Sequence, residues 1–382
     1  MQKLQLAVRH GADAIESLLS MGVQFTGPHP ELPNEVWRMH VVNPHARSLV
    51  DTLAGQAWAR GVRIRGDWAV DSLILDDGRV VGANGERGSL LARDAVVLTT
   101  GDFSAPGRLE PVCPAGSDLA FRPWSSGDGH LMARSAGAAV THLDLPLLPQ
   151  LRTVDWPHIE PAAALFAAGA ILVDRQGQRV VNELDDPAAQ LADQPDTDVF
   201  LVADASVTDR IPVAADDSPY ARDGWLAANK FYIATFPGTG YAYVADILAT
   251  GYAALADTPR MVAEKLQIAP EGLQATLDEY NSAAPDGGAD PRGRSDRGKG
   301  VRHPPFLGCG PFRVRAFLGR AGLSIDNEMR VLDPRGDAIP GLLAAGAAAG
   351  VTGFAYGHGY ELAWALVSGR IAGRSAVRRD KL

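Results

Sequence analysis

The stretch Ile339-Pro-Gly-Leu-Leu-Ala-Ala-Gly-Ala-Ala-Ala-Gly350, with Gly357-His-Gly-Tyr360 a few residues on, decides how the rest of the chain is read. Residues 341–345 are a short apolar run, long enough for a buried strand and too short for a helix. Gly346 and Gly350 let the backbone turn sharply or come close to a ligand. Beyond them, Leu362, Leu366, Ile371 and Val377 are among the apolar positions of a helix expected over 361–377. A helix starting near 358–360 aims unpaired N–H groups and a partial positive charge at whatever precedes it. Strand, glycine turn and helix N-terminus together make a cradle for a ligand.

The same texture recurs upstream. Ala95-Val-Val-Leu-Thr-Thr-Gly101 is an apolar strand running into glycine, and Ser126-Gly-Asp-Gly-His130 leads into an alanine-rich helix at 131–139. Asp128 is the expected N-cap there, or His130 caps it instead. In open α/β sheets, ligands sit at the carboxyl ends of such strands. Helical spacing is also present over 4–21, closed by Gly22, and over 48–59; a loop with Pro28, Pro30 and Pro33 lies between them. Residues 62–65 and 69–75 alternate as half-buried strands do, and Asp76-Asp-Gly78 reads as a hairpin turn.

From about residue 143 the texture becomes proline-rich and irregular, as in Leu145-Pro-Leu-Leu-Pro-Gln150. Within this middle part, 170–174 and 179–183 read as a hairpin, and 258–284 as helix broken at Pro270. Residues 285–303, rich in Gly, Asp and Arg, read as a loop, before strand-like segments return at 312–317, 323–326 and 329–332. Glycine-punctuated α/β sequence at both ends of a different middle is the pattern of one domain inserted into another.

Size and charge narrow the field. A length of 382 residues fits about two domains. The net charge of −9 offers no footprint for nucleic acid. Without a run of 18 apolar residues, no membrane span is expected. Two distant cysteines, Cys113 and Cys309, suggest neither a disulfide scaffold nor a zinc site, and no metal-ligand spacing is present. These features and the absence of a signal-peptide pattern at Met1 set the expected location as cytoplasmic. A Ser-His-Asp hydrolase has no support, since no Gly-x-Ser-x-Gly elbow follows a strand.

In order and spacing, these segments resemble the FAD-dependent oxidoreductases of the fumarate reductase and succinate dehydrogenase flavoprotein group, which also holds 3-ketosteroid dehydrogenases and tricarballylate dehydrogenase. The matching pieces run from Leu18-Leu-Ser-Met-Gly-Val-Gln-Phe25 and Leu73-Ile-Leu-Asp-Asp-Gly-Arg-Val-Val-Gly82 through the 95–103 and 126–138 segments. They continue with Ile171-Leu-Val-Asp-Arg-Gln-Gly-Gln-Arg-Val-Val-Asn-Glu183, Gly322-Leu-Ser-Ile-Asp326, Gly341-Leu-Leu-Ala-Ala-Gly346 and Gly369-Arg-Ile-Ala-Gly373. The resemblance implies an α/β fold: a Rossmann-like FAD-binding domain over 1–145 and 305–382, with an α+β capping domain inserted at 146–304. It implies redox chemistry at a carbon–carbon single or double bond of a small organic substrate, with FAD as the cofactor. Cofactor contacts fall to Thr100, Gly101, Asp128, Gly346, Ala347, Gly359, Glu361 and Leu362. Catalysis falls to Tyr356, His358 and Tyr360, with loop packing as the plainer reading of each; an anionic substrate is conceivable at Arg313, Arg315 and Arg320.

The chain also departs from the family pattern. It lacks the opening strand and Gly-x-Gly-x-x-Gly turn, about a hundred residues of a full dinucleotide-binding unit, so the FAD domain is expected to be N-terminally truncated or completed by a partner chain. Asp102 stands where the family has a second glycine, and Ala347 where it has a ribityl-binding glutamate. Leu184-Asp-Asp-Pro stands where fumarate reductases place an arginine proton donor, which speaks against fumarate or succinate as substrate.

Overall fold

The computed structural model describes residues 2–31, 34–43, 46–105, 109, 125–145, 147–153, 161, 163–205, 248, 251–282, 290–295, 300–350 and 359–377. In chain order the first elements are helix α1 (Gln2–Ser20), strands β1 (Gln24–Glu31) and β2 (Asn34–Asn43), and helix α2 (Ala46–Ala59). Then come the antiparallel meander β3 (Val70–Asp76), β4 (Arg79–Gly85) and β5 (Gly88–Leu91), followed by β6 (Val96–Leu98), α3 (Asp128–Ser135) and β7 (Val140–Thr141). The middle supplies β8 (Leu148–Thr153), α4 (Ala163–Ala168), β9 (Ile171–Asp174), α5 (Pro187–Gln190), β10 (Val199–Ala203), β11 (Ala253–Ala256), α6 (Pro259–Leu266) and α7 (Pro270–Ser282). After the long strand β12 (Phe306–Leu318) the chain returns through β13 (Gly322–Leu323), β14 (Arg330–Leu332), β15 (Ala338–Ala344), a 3-10 turn (Gly346–Ala349) and α8 (Tyr360–Ala376).

Two separate cores follow from this order. One gathers residues from both ends of the sequence: Ala7 of α1, Leu98 of β6, Met132 of α3, Leu342 and Leu343 of β15, and Trp364 of α8. The other belongs to a five-stranded sheet in the order β11-β12-β10-β9, with β8 also paired to β12. Every residue of β10 is buried, and the strand's period of two sends Val199, Leu201 and Ala203 to one face and Phe200 and Val202 to the other. Helices α6 and α7 cover the second face through Val262, Leu266, Leu273 and Leu277, each such side chain worth about 1.5–3 kcal/mol of burial. All three partners of β12 come from residues 148–256, although it starts one residue after the boundary expected at 305.

At the edge of the second core lies a buried ionic network. Arg179 donates from Nε and Nη2 to Glu183 at 3.0 and 2.7 Å and from Nη1 to Asp290 at 2.8 Å. Arg294 donates to the same Glu183 at 3.1 Å and to the Ala170 carbonyl at 2.8 Å, and Glu183 also accepts from the Leu172 N–H. Burial opposes the Arg179 charge, but Glu183 and Asp290 outweigh it and hold the guanidinium above its ordinary pKa. Tyr280, under both guanidiniums, has its phenol pushed up to about 12 by burial.

The sequence reading needs correction in three places. The proline loop after α1 contains the hairpin β1–β2, whose register shifts between Thr26 and Glu31 fall at Pro28 and Pro30; Pro33 lies outside the described residues. Residues 62–65 form no strand: nothing pairs with them among the described residues, and Val62 and Ile64 are exposed. The hairpin expected over 170–183 shrinks to a single bridge, Val173 to Arg179, because β9 pairs with β10 while Arg179 and Glu183 are drawn into the ionic network.

Candidate active site

The site begins where β15 runs parallel to β6, with Leu342, Leu343 and Ala344 opposite Val96, Val97 and Leu98. The Ala345 N–H continues the ladder to the Leu98 carbonyl at 3.0 Å. Both strands end in glycines with positive φ, Gly101 at 79° and Gly346 at 65°, and each is followed along the chain by a helix that starts at another, Gly127 at 81° and Gly359 at 78°. Among the described residues neither α3 nor α8 has a side-chain cap, and the first turn of each directs its N–H groups and partial positive charge at whatever precedes it. Asp128 is the first helical residue of α3 and not its cap; its carboxylate accepts from Ser126 Oγ at 2.8 Å.

Close backbone approach holds these pieces together. A Cβ on Gly129 would lie 1.9 Å from Thr100 Oγ1, so the start of α3 packs directly on the end of β6. A Cβ on Gly322 would lie 2.0 Å from the Gly350 nitrogen, which presses β13 against the end of the 3-10 turn. Trp364 and Ser368, one turn apart on the inner face of α8, clamp Gly346: the indole N–H donates to its carbonyl at 3.1 Å, and its own N–H donates to Ser368 Oγ at 2.9 Å. Replacing Ser368 by alanine leaves that N–H without its partner and is expected to cost about 1–2 kcal/mol, read by urea denaturation. Lys3 donates to the Ala349 and Gly350 carbonyls, and burial lowers its pKa to about 8.

Asp102 does not project into the space above the glycines. It is buried, accepting from the Ser104 N–H and hydroxyl and, at 3.0 Å, from the Gly319 N–H just beyond β12. This carboxylate therefore joins the end of β6 to the end of the five-stranded sheet's longest strand.

His130, on the first turn of α3, is fully buried, and its ring meets Phe103 edge-on at 5.3 Å. Burial pushes its pKa down to about 4, against the opposing pull of Asp102 and the Ala348 carbonyl. Because the folded value lies below the ordinary 6.5, the folded state binds fewer protons between those limits. Stability is therefore expected to be full above pH 6.5 and to fall as pH drops towards 4, by at most about 3 kcal/mol. Denaturation curves across that window check this, and His130→Phe should remove the contribution.

The expected site residues are only partly united. Thr100, Gly101, Asp128, Gly346 and Ala347 come together around the two strand ends. Gly359 and Glu361 open α8, tied to Gly346 through Trp364, while Tyr360 packs against the first core and Leu362 is 46% exposed. Tyr356 and His358 lie outside the described residues. Arg313, offered as an anion clamp, has its charge met by Asp198 at 2.6 Å; Arg315 stands opposite Gln150, and Arg320 lies beyond the strand end.

A parallel strand pair ending in glycine turns, each followed by a helix N-terminus, is a nucleotide-cofactor type of α/β arrangement. The family model described as FAD binding domain matches residues 3–362, and the chain belongs to that family of FAD-binding oxidoreductases. It is 24% identical to a probable fumarate reductase of Shewanella frigidimarina, over 98% of this chain, and 30% identical to a 4-oxocyclohexanecarboxylate 2-dehydrogenase of Sinomonas cyclohexanicum, over 86%. The chain spans 60% of the length of each of these two relatives. Among solved structures, the open conformation of a flavocytochrome c3 fumarate reductase matches with a TM-score of 0.73 at 21% identity, over 99% of this chain and 64% of that one. The 3-ketosteroid-Δ4-(5α)-dehydrogenase of Rhodococcus jostii matches with a TM-score of 0.63 at 24% identity, over 97% and 78%. The Rossmann-like flavoprotein fold and the FAD cofactor inferred from the motifs agree with these findings. No helix among the described residues is long and apolar enough to cross a membrane.

Proposed function

We propose that this chain forms the flavin end of an oxidoreductase that adds or removes hydrogen across a carbon–carbon bond next to a carbonyl group. The observation that carries the reading is the open glycine backbone at the ends of β6 and β15. Among the described residues, a Cβ on Gly101 would meet only Ser125 Oγ, at 3.6 Å; on Gly346 the nearest atom would be Ala365 Cβ, at 3.7 Å; on Gly359 none lies within 4 Å. Such a surface fits a flat, hydrogen-bonding ring system, and the residues present are compatible with FAD. The cofactor, when bound, supplies hydride acceptance or donation. The protein's part is position and electrostatics: Gly101 and Gly346 allow close approach, while the first turns of α3 and α8 favour negative charge. Tyr360 and the positions Tyr356 and His358 are proposed for proton handling at the substrate.

The substrate class draws on the relatives' names, since fumarate, acrylate and a 3-ketosteroid each carry a carbon–carbon bond conjugated to a carbonyl. We divide the chain into the FAD-binding part and the cap as the sequence suggested, but place the second junction near residue 319, because β12 is hydrogen-bonded wholly within the cap sheet. A pyrophosphate-binding glycine turn of the Gly-x-Gly-x-x-Gly kind is to be sought outside these residues, in a longer form of the chain or in a partner. The test is FAD uptake by purified protein, followed by desalting and visible spectroscopy, with and without such a segment. A flavin spectrum that bleaches with reductant and returns on adding an enone or enoate supports the reading; no retained flavin under either condition overturns it.

A further inference from the structure

Arg320 carries a charge that its protein neighbours do not answer. Its Nε is buried and, among the described residues, has no hydrogen-bond partner. Among those residues no ion pair reaches the guanidinium either. The two arginines that precede it along β12 are both engaged, Arg313 by Asp198 at 2.6 Å and Arg315 as well. A guanidinium keeps its charge at any working pH, and a buried N–H is ordinarily hydrogen-bonded, so the exception calls for a partner. Its place in the fold narrows what that partner is. Residues 319–321 are the link by which the chain leaves the cap strand β12 for β13. On one side the Gly319 N–H donates to Asp102, beyond the end of β6; on the other, Gly322 presses on Gly350 at the end of the 3-10 turn. Asp102, the carboxylate at this link, accepts from the Ser104 N–H and hydroxyl and from Gly319, and makes no ion pair with Arg320. Arg320 is thus rooted where the cap strand, the end of β6 and the turn after β15 meet.

We propose that Arg320 is a specificity-determining residue that binds the ionised carboxylate of the substrate, so that the chain takes carboxylic acids in preference to neutral ketones and esters. The inference rests on the flavin reading and narrows it, from a carbon–carbon bond next to any carbonyl to one whose molecule carries an acid group. A planar guanidinium grips a carboxylate through two parallel N–H donors, and the buried Nε is placed to be one of them. The phosphate oxygens of the cofactor share this chemistry. The root of Arg320 favours the substrate, because it follows a strand hydrogen-bonded wholly within the cap sheet.

Paired probes test this on the full chain, with FAD and without it. Crotonate, cyclohexenecarboxylate and cinnamate are titrated beside their methyl esters, by calorimetry, into wild type, R320M and R320K, with R320Q in reserve should R320M fail to fold. At least one acid should bind wild type roughly thirtyfold tighter than its ester, the scale of hydrogen bonds to a charged group. R320M should erase that preference while leaving ester affinity and FAD retention unchanged, and R320K should restore part of it. No acid preferred over its ester in wild type overturns the proposal, as does a preference that survives in R320M. If R320M loses FAD and keeps the acid preference, the anion belongs to the cofactor and the assignment to substrate falls. A purely structural role would weaken acid and ester alike together with thermal stability, and that result also overturns it. The flavin reading is judged separately: a chain that takes up no FAD overturns that reading, while the acid–ester comparison without FAD still decides whether Arg320 holds a carboxylate.

Discussion

Replacing Glu183 by alanine is expected to destabilise the capping sheet by about 3–5 kcal/mol, the range for breaking a buried ion pair from one side. The carboxylate is 2% exposed and accepts four hydrogen bonds, from the Leu172 N–H, twice from Arg179 and once from Arg294. Arg294 is itself buried, and the substitution would take away its carboxylate partner while leaving the carbonyls of Ala170 and Phe166. Arg179 keeps Asp290, so the loss falls chiefly on Arg294. A deficit of that size is a large share of the roughly 5–15 kcal/mol that holds a domain folded. Glu183→Gln should cost less, because the amide oxygen still accepts from one arginine. Urea denaturation of E183A, R294M and the double variant tests the argument: the double variant should be more stable than E183A alone, since removing the stranded cation relieves it. If E183A falls within about 0.5 kcal/mol of wild type, the network does not stabilise this sheet.

Gly322→Ala is expected to abolish cofactor uptake at a cost of about 3 kcal/mol in stability, at the top of the range for overpacking. The added Cβ would lie 2.0 Å from the Gly350 nitrogen and 2.2 Å from its Cα, and backbone on both sides leaves no flexible side chain to yield. The turn after Gly346 would have to move away from β13, which pairs with β7 at Gly322 and Leu323. Equilibrium dialysis with FAD, alongside thermal denaturation, separates the two effects. Unaltered FAD binding in a folded G322A protein would show that the spacing of this turn is not what the cofactor reads.

Much of the fold was legible because period and punctuation agree with packing here. Residues 341–345 announced β15, Gly22 and Pro270 marked real helix ends, and Asp76-Asp-Gly78 made the expected turn. What the sequence hid were long-range choices. The pattern Val-Arg-Ile-Arg at 62–65 alternates well enough for a strand, but alternation does not say whether a partner strand exists. Arg179 and Glu183 looked like strand residues because their neighbours are valines; their fate was set by Arg294 and Asp290, more than a hundred positions away. The glycines of the site could be read locally, since positive φ and close approach are single-residue properties. Neither the Ser368 clamp nor the inward turn of Asp102 could, because each depends on a residue brought in by tertiary folding. Asp102, standing where the family has a second glycine, turns inward to the Gly319 N–H.

That tether changes how the two cores relate in mechanical terms. β12 runs for thirteen residues, about 40 Å of strand, paired with β10 and β11 over its first half and with β8 over its second, and it leads directly to Gly319. A strand stiffened by pairing behaves as a lever, and the Asp102–Gly319 hydrogen bond sits at its short arm. Tilting of the cap would reach the end of β6 as a pull on this contact. A cap grafted between residues 147 and 318 would have to end with Gly319 placed so that its N–H still reaches Asp102.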